Sequence, residues 1–222
     1  MTSSAHHAAE IAPDAQRPTM SSAQRQTMID SQLRTVGVMD GDVLAAFASV
    51  ARENYVPAGL KGLAYADAAL EVAPGRWLLE PMVLALLLQH ANITAADRVL
   101  IIGAATGYSA AVVRAIGATA TALENDTAFA DTDAVRGPLP QGWPGNAPYD
   151  LILFEGAIEV LPEAIAAQLA PGGRVAAVVR QGGIGRAFAG PVVAGNRIGG
   201  LPFLEVAAKP LPGFAATREF AF

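Results

Sequence analysis

The segment Arg98-Val-Leu-Ile-Ile-Gly-Ala-Ala-Thr-Gly-Tyr-Ser109 constrains this chain more than any other, because it reads as a strand, a glycine turn and the first turn of a helix. Val99 to Ile102 are aliphatic or β-branched and too few for a helix. Gly103 and Gly107 bracket a tight turn whose small residues, Ala105 and Thr106 among them, let backbone come close to a ligand. The helix that follows points its first N–H groups at whatever sits there. Thr119-Ala-Thr-Ala-Leu-Glu124 then reads as a second strand ending in an acid, and Glu124 is placed to accept hydrogen bonds from two ribose hydroxyls. A nucleotide-shaped cofactor is held in this way, although the same turn also occurs in α/β proteins that bind nothing at it.

Composition narrows the rest. With 222 residues, 52% of them hydrophobic, the chain can bury one good α/β core. Its longest apolar run, Met82 to Leu88, falls far short of the roughly twenty residues a bilayer span requires and is expected as a buried helix. A formal charge of -5 with only 15 Lys plus Arg offers no basic field for nucleic acid. The absence of Cys excludes disulfides and a thiolate nucleophile, and three His residues, two of them adjacent near the start, form no metal cluster, so no metal is expected. Residues 1–22 lack an apolar period and the cationic start of a secretory signal; they are expected as a disordered tail on a cytoplasmic protein, with no membrane partner.

Helical spacing of Met28, Ile29, Leu33 and Val36 predicts a helix from Ala23 to about Val36, ended by Gly37. A second helix should start at Asp40, and a third at Glu80-Pro81 with proline in its first position. Strands are expected at 98–102, 119–123, 150–155 and 174–180, with helices at 108–116 and 159–169. The fold class is therefore α/β: a doubly wound, Rossmann-like, mostly parallel sheet with a terminal antiparallel pair. Residues 23–222 are expected as one domain, with 23–97 a helical extension and 98–222 the α/β core.

Several segments, in order, carry a resemblance: Met28-Ile-Asp-Ser-Gln-Leu33, Arg52-Glu-Asn-Tyr-Val-Pro57, Ala64-Tyr-Ala-Asp67, the turn at 99–109, Gly142-Trp-Pro144, Ala147-Pro-Tyr-Asp150 and Gln168-Leu-Ala-Pro-Gly-Gly173. Together they resemble the protein-L-isoaspartate O-methyltransferases, which use S-adenosylmethionine to methylate the abnormal carboxylate of isoaspartyl residues. The resemblance implies that fold with an N-terminal helical extension, S-adenosyl-L-methionine as cofactor, and a damaged protein or peptide as partner. It places Gly103, Ala105, Thr106 and Gly107 around the methionine part, Glu124 on the ribose, and Tyr65 and Asp67 near the substrate pocket. An acceptor carboxylate, with a reference pKa of about 4, is already ionised at neutral pH and needs no general base. Catalysis then rests mainly on positioning.

Three departures from the family pattern stand out. Where the family reads Gly-Gln-Thr-Ile-Ser-Gln-Pro, this chain reads Gly75-Arg-Trp-Leu-Leu-Glu-Pro81, so the two hydroxyl positions of the substrate pocket are Trp77 and Leu79. Arg76 is the residue there that could bring charge to a substrate, while Trp77, Leu78 and Leu79 also read as plain core. The central glycine of the cofactor turn is Ala105. The acidic residue expected after the third strand is missing, its place taken by Gly137-Pro-Leu139, and the interval from Glu124 to Gly137 is about a dozen residues too short for a helix plus a strand. One turn and a stub of strand should fit, thinning one flank of an adenosine pocket; Asp131 or Asp133 could replace the lost acid or simply be solvated. These departures motivate an alternative, a non-catalytic family member that serves as a binding or regulatory scaffold. A nicotinamide-dependent oxidoreductase fits less well, because Tyr108 occupies the fingerprint's third glycine position.

Overall fold

The computed structural model describes residues 20–216. Helix α1 (Met20–Met28) runs on through a π turn at Ile29–Leu33 and a 3-10 turn at Arg34–Val36, and Gly37 ends it with φ 91°. It starts three residues before the expected Ala23, so Met20–Ser22 belong to the helix and not to a tail. A tertiary contact favours this early start, since Ser21 hydrogen-bonds Glu53. Residues 1–19 of the expected tail lie outside the described residues.

Helix α2 (Gly41–Ser49) is capped by Asp40, whose side chain accepts from the N–H groups of Asp42 and Val43. Strands β1 (Leu70–Ala73) and β2 (Arg76–Leu78) pair as a hairpin around Pro74-Gly75. Helix α3 (Pro81–His90) begins on its proline and is buried along most of its length. Strand β3 (Arg98–Ile102), helix α4 (Tyr108–Ile116) and strand β4 (Thr119–Glu124) then follow with the expected limits, β4 gaining Glu124 itself.

Between β4 and Gly137 the chain fits one 3-10 turn, Thr127–Phe129, and a two-residue strand β5 (Val135–Arg136). Strand β6 (Tyr149–Ile158) is longer than expected at both ends. The helix expected at 159–169 is reduced to the single turn α5 (Glu163–Ala166). Its ends are claimed by other partners: the N–H groups of Glu159 and Val160 donate to the Phe214 carbonyl, and Leu169 already begins strand β7 (Leu169–Gln181). Strand β8 (Ile184–Gly190) and the short β9 (Val192–Val193), β10 (Arg197–Ile198) and β11 (Leu204–Glu205) complete the described chain.

The main sheet has seven strands in the order β11-β8-β7-β6-β3-β4-β5. β7, β6, β3, β4 and β5 are parallel, while β8 and β11 join antiparallel. One face, through Val99, Ile101, Leu151, Leu153 and Val178, packs with residues of α2, α3 and α4. The opposite face, through Leu100, Ile102, Ile152, Phe154 and Val175, packs with Leu139, Tyr149, Ile165, Leu211 and Phe214. Because β3 and β6 are central and parallel, the turns after their C-terminal ends meet at one edge, where open α/β sheets hold ligands.

Candidate functional site: the turn after β3

The turn keeps the backbone expected of it. Gly103, Ala105 and Gly107 have φ of 75°, 48° and 88°, and the N–H groups of Gly103 and Ala104 donate to the Leu123 carbonyl at 2.9 and 3.1 Å, clipping the turn to the end of β4. For Ala105, fully buried, the left-handed conformation costs about 1–2 kcal/mol that glycine would avoid. Its N–H compensates in part by donating to Glu124 at 2.8 Å.

Glu124 is 0% exposed. Its Oε1 accepts from Arg76 Nη1 at 2.5 Å and from the N–H groups of Asn125 and Asp126 at 2.8 and 3.0 Å. Its Oε2 accepts from Arg76 Nη2 at 2.6 Å and from Ala105 N. A carboxylate has about four lone-pair sites, so five donors leave none for a sugar. Burial alone would raise the Glu124 pKa, but the hydrogen bonds from Arg76, Asp126 and Ala105 and the Arg76 charge outweigh it and hold it below the ordinary carboxylate range. Arg76, 3% exposed, also lies 5.6 Å from the centre of the Phe129 ring. Arg76, expected beside a substrate, and Glu124, expected on a ribose, are paired with each other. The pairing spans 48 positions and brings a hairpin onto a strand end, so no local pattern announces it.

Leu79, at a family hydroxyl position, is buried with its N–H donating to Glu155 at 3.0 Å and its carbonyl accepting from Arg52 at 2.8 Å. Glu155 also accepts from the Ser109 hydroxyl. Burial pushes its pKa up to about 7, against the Leu79 N–H and the charges of Arg52 and Arg76. Arg52, itself buried, stacks 4.6 Å from the centre of the Tyr108 ring. Trp77 is half-buried beneath Lys209, whose ammonium lies 4.8 Å from the ring centre. The Tyr65 hydroxyl donates to Glu53 and accepts from Arg25, and Asp67 is exposed. Thr106 is half-buried in the turn. Asp133 pairs with Arg114 at 2.8 Å, both well exposed, as a solvated surface charge would. Among the described residues no group of three or more His, Asp or Glu is arranged to hold a metal ion.

The turn, the acid ending β4 and the strand order together match a family defined in sequence as well. The sequence model of the protein-L-isoaspartate(D-aspartate) O-methyltransferase family matches residues 23–188. This chain belongs to that family. It is 37% identical over 168 residues to the protein-L-isoaspartate O-methyltransferase of Methylorubrum populi, covering 70% of this chain and 79% of the relative. To that of Methanoculleus marisnigri it is 33% identical over 169 residues, covering 70% and 77%. The fold is shared with a solved protein-L-isoaspartate O-methyltransferase at TM-score 0.70 and 23% identity, covering 85% of this chain and 66% of that one. It is also shared with the putative enzyme of Plasmodium falciparum, solved in complex with S-adenosyl-L-homocysteine, at TM-score 0.66 and 16% identity, covering 86% and 97%.

The space over the turn is filled from inside. A methyl group built on Gly103 would lie 2.5 Å from Leu211 Cδ1 and 3.2 Å from Arg76 Nη2, and one on Gly156 would lie 3.1 Å from Leu211 Cβ. A cleft of about 810 Å³ opens beside Gly137, Pro138, Trp143 and Gln168, but neither the turn nor Glu124 lines it. With Glu124 saturated and Gly103 covered, a ligand would reach the turn only after Arg76 and Leu211 move aside.

Proposed function

We propose that this chain is a methyltransferase of the isoaspartyl-repair kind, transferring a methyl group from S-adenosyl-L-methionine to the carboxylate of isoaspartyl residues in damaged proteins or peptides. Family membership across 23–188 and the relatives at 33–37% identity support the reading. The single observation that carries it is the turn itself. Even with alanine at its centre, the backbone holds left-handed φ at 103, 105 and 107 and delivers the Ala105 N–H to the acid ending β4. At Ala105 that conformation costs about 1–2 kcal/mol, and the bond to Glu124 returns part of it. The cofactor-binding set on this reading is Gly103, Ala105, Thr106, Gly107 and Glu124.

The acceptor side asks little of the protein, since a carboxylate is ionised at neutral pH. The hydrophobes at Trp77 and Leu79 supply no hydroxyl, and the backbone N–H of Leu79 is taken by Glu155. The proposal includes a cytoplasmic setting, no membrane partner and no nucleic-acid partner; no helix among the described residues is long and apolar enough to cross a membrane, and the charge is -5. The test is transfer of labelled methyl to an isoaspartyl peptide beside its aspartyl control. Label on the isoaspartyl peptide alone is the expected result. No label on either, at millimolar donor, returns the chain to the alternative of a binding or regulatory scaffold.

A further inference from the structure

The hollow over the turn is filled from two directions, and the two fillers are tied together. From one side comes Arg76, at the start of β2, locked on Glu124. From the other comes Leu211, 4% exposed, on an extended strap that leaves β11 and runs back along the end of β6. The strap is built in place by backbone bonds: Ala157 N donates to Lys209 O and Leu211 N to Ala157 O, each at 2.8 Å, and Glu159 N to Phe214 O at 2.9 Å. Phe214 is buried edge-on against Phe154 at 5.2 Å, which anchors the far end. Lys209, itself exposed, lies over Trp77 next to Arg76 in the chain, so strap and hairpin hold each other across the hollow.

We propose that Arg76 and the strap 209–214 form a self-blocking plug that keeps the donor site shut in the resting protein. The inference rests on the methyltransferase reading above. The Arg76 guanidinium takes the acid's lone pairs, and Leu211 takes the space over Gly103 and Gly156 that a ligand would need. Donor binding requires both to withdraw, so apparent affinity is lowered by the fraction of time the plug is closed. The Lys209 contact makes the two withdrawals cooperative, because lifting the strap frees the hairpin. Trp77 thereby acquires a role as the seat of the strap.

The experiment is titration calorimetry with S-adenosylhomocysteine on the full chain, using the wild type, Lys209→Ala, Leu211→Ala and the double variant Arg76→Ser/Leu211→Ala. The wild type should bind weakly, with a Kd of about 0.5 mM, Leu211→Ala gaining about tenfold or more and the double variant about a hundredfold or more in affinity. Lys209→Ala should gain the least. Near-UV circular dichroism identifies which variants are folded. Leu211→Ala and Lys209→Ala leave the Arg76–Glu124 pair intact, so they carry the test if the double variant does not fold. As a second measure on the wild type, saturating ligand should speed hydrogen exchange at the Leu211 N–H; unchanged protection with ligand bound would overturn the plug. Micromolar binding by the wild type would also overturn the plug while leaving the methyltransferase reading standing. A folded double variant that still binds nothing would sink both.

Discussion

The two faces of the central sheet are covered in different ways, and the contrast explains the state of the site. One face lies under α2, α3 and α4, whose buried residues Phe47, Leu84, Leu87 and Val113 pack with Val99, Ile101 and Leu153. The other lies under a single-turn helix, the loop around Leu139–Tyr149 and the C-terminal strap, which together cover Leu100, Ile102, Ile152 and Phe154. A mostly parallel sheet must bury both faces. On the second face the shortened stretch after β4 and the curtailed α5 leave area that the strap covers with Leu211 and Phe214. That cover extends over the glycine turn. Leu211, which helps complete the core, also closes the space over the turn.

The largest effect expected from breaking this arrangement is at the clasp. Glu124→Ala leaves the Arg76 guanidinium buried without its partner and should destabilise the fold by about 3–5 kcal/mol, read by urea denaturation. Adding Arg76→Ala should cost less than the sum of the two single changes, because the charges are coupled. A next, smaller contrast separates the faces themselves. Leu87→Ala, beneath rigid helices, should cost about 4 kcal/mol, whereas Leu211→Ala, on a strap able to settle inward, should cost about 2 kcal/mol. Equal losses would mean that the strap is as rigid as the helical layer.

Glu124 and Glu155, both buried, respond to pH in opposite senses. Glu124, with its pKa lowered, contributes stability that is present above the ordinary carboxylate range and is lost as pH falls through its depressed value. Glu155, raised from 4.5 to about 7, binds its proton more tightly folded than unfolded, so its contribution declines as pH rises from about 4.5 to about 7. Thermal melts of Glu155→Gln should lack that decline; an unchanged profile would place its origin elsewhere. The smallest effect is at the turn. Ala105→Gly should stabilise by about 1 kcal/mol by relieving left-handed strain, less whatever the added freedom of the unfolded chain removes. A loss of stability there would show that the alanine methyl packs well enough to repay its conformation.

Local patterns made the helical face and the strands legible. Asp40, Gly37 and Pro81 marked helix ends that the structure keeps, and Tyr108–Ile116 has the expected limits. The short interval after Glu124 also announced its own content, since length alone allowed only a turn and a strand stub. Residues 159–169 misled because their helical spacing was real but the Glu159 and Val160 N–H groups went to Phe214, 55 and 54 positions away in the chain. The residues of the cradle were legible as a group, but their partners were not. Arg76 read as a source of charge for a substrate, and Leu211 carried no signal in its Pro-Gly-rich surroundings.

What the sequence determined by itself was the elements with strong local signals and their kinship: strand, turn and helix depend on periodicity and on glycine, proline and capping residues within a few positions of one another. Tertiary structure alone decided which charge meets Glu124 and what lies over Gly103. Those outcomes depend on side chains brought together from β2, β4 and the strap, at separations where sequence spacing carries no geometric information. Once there, burial makes the pairing compulsory, because an acid removed from water must find donors and the nearest guanidinium supplies them.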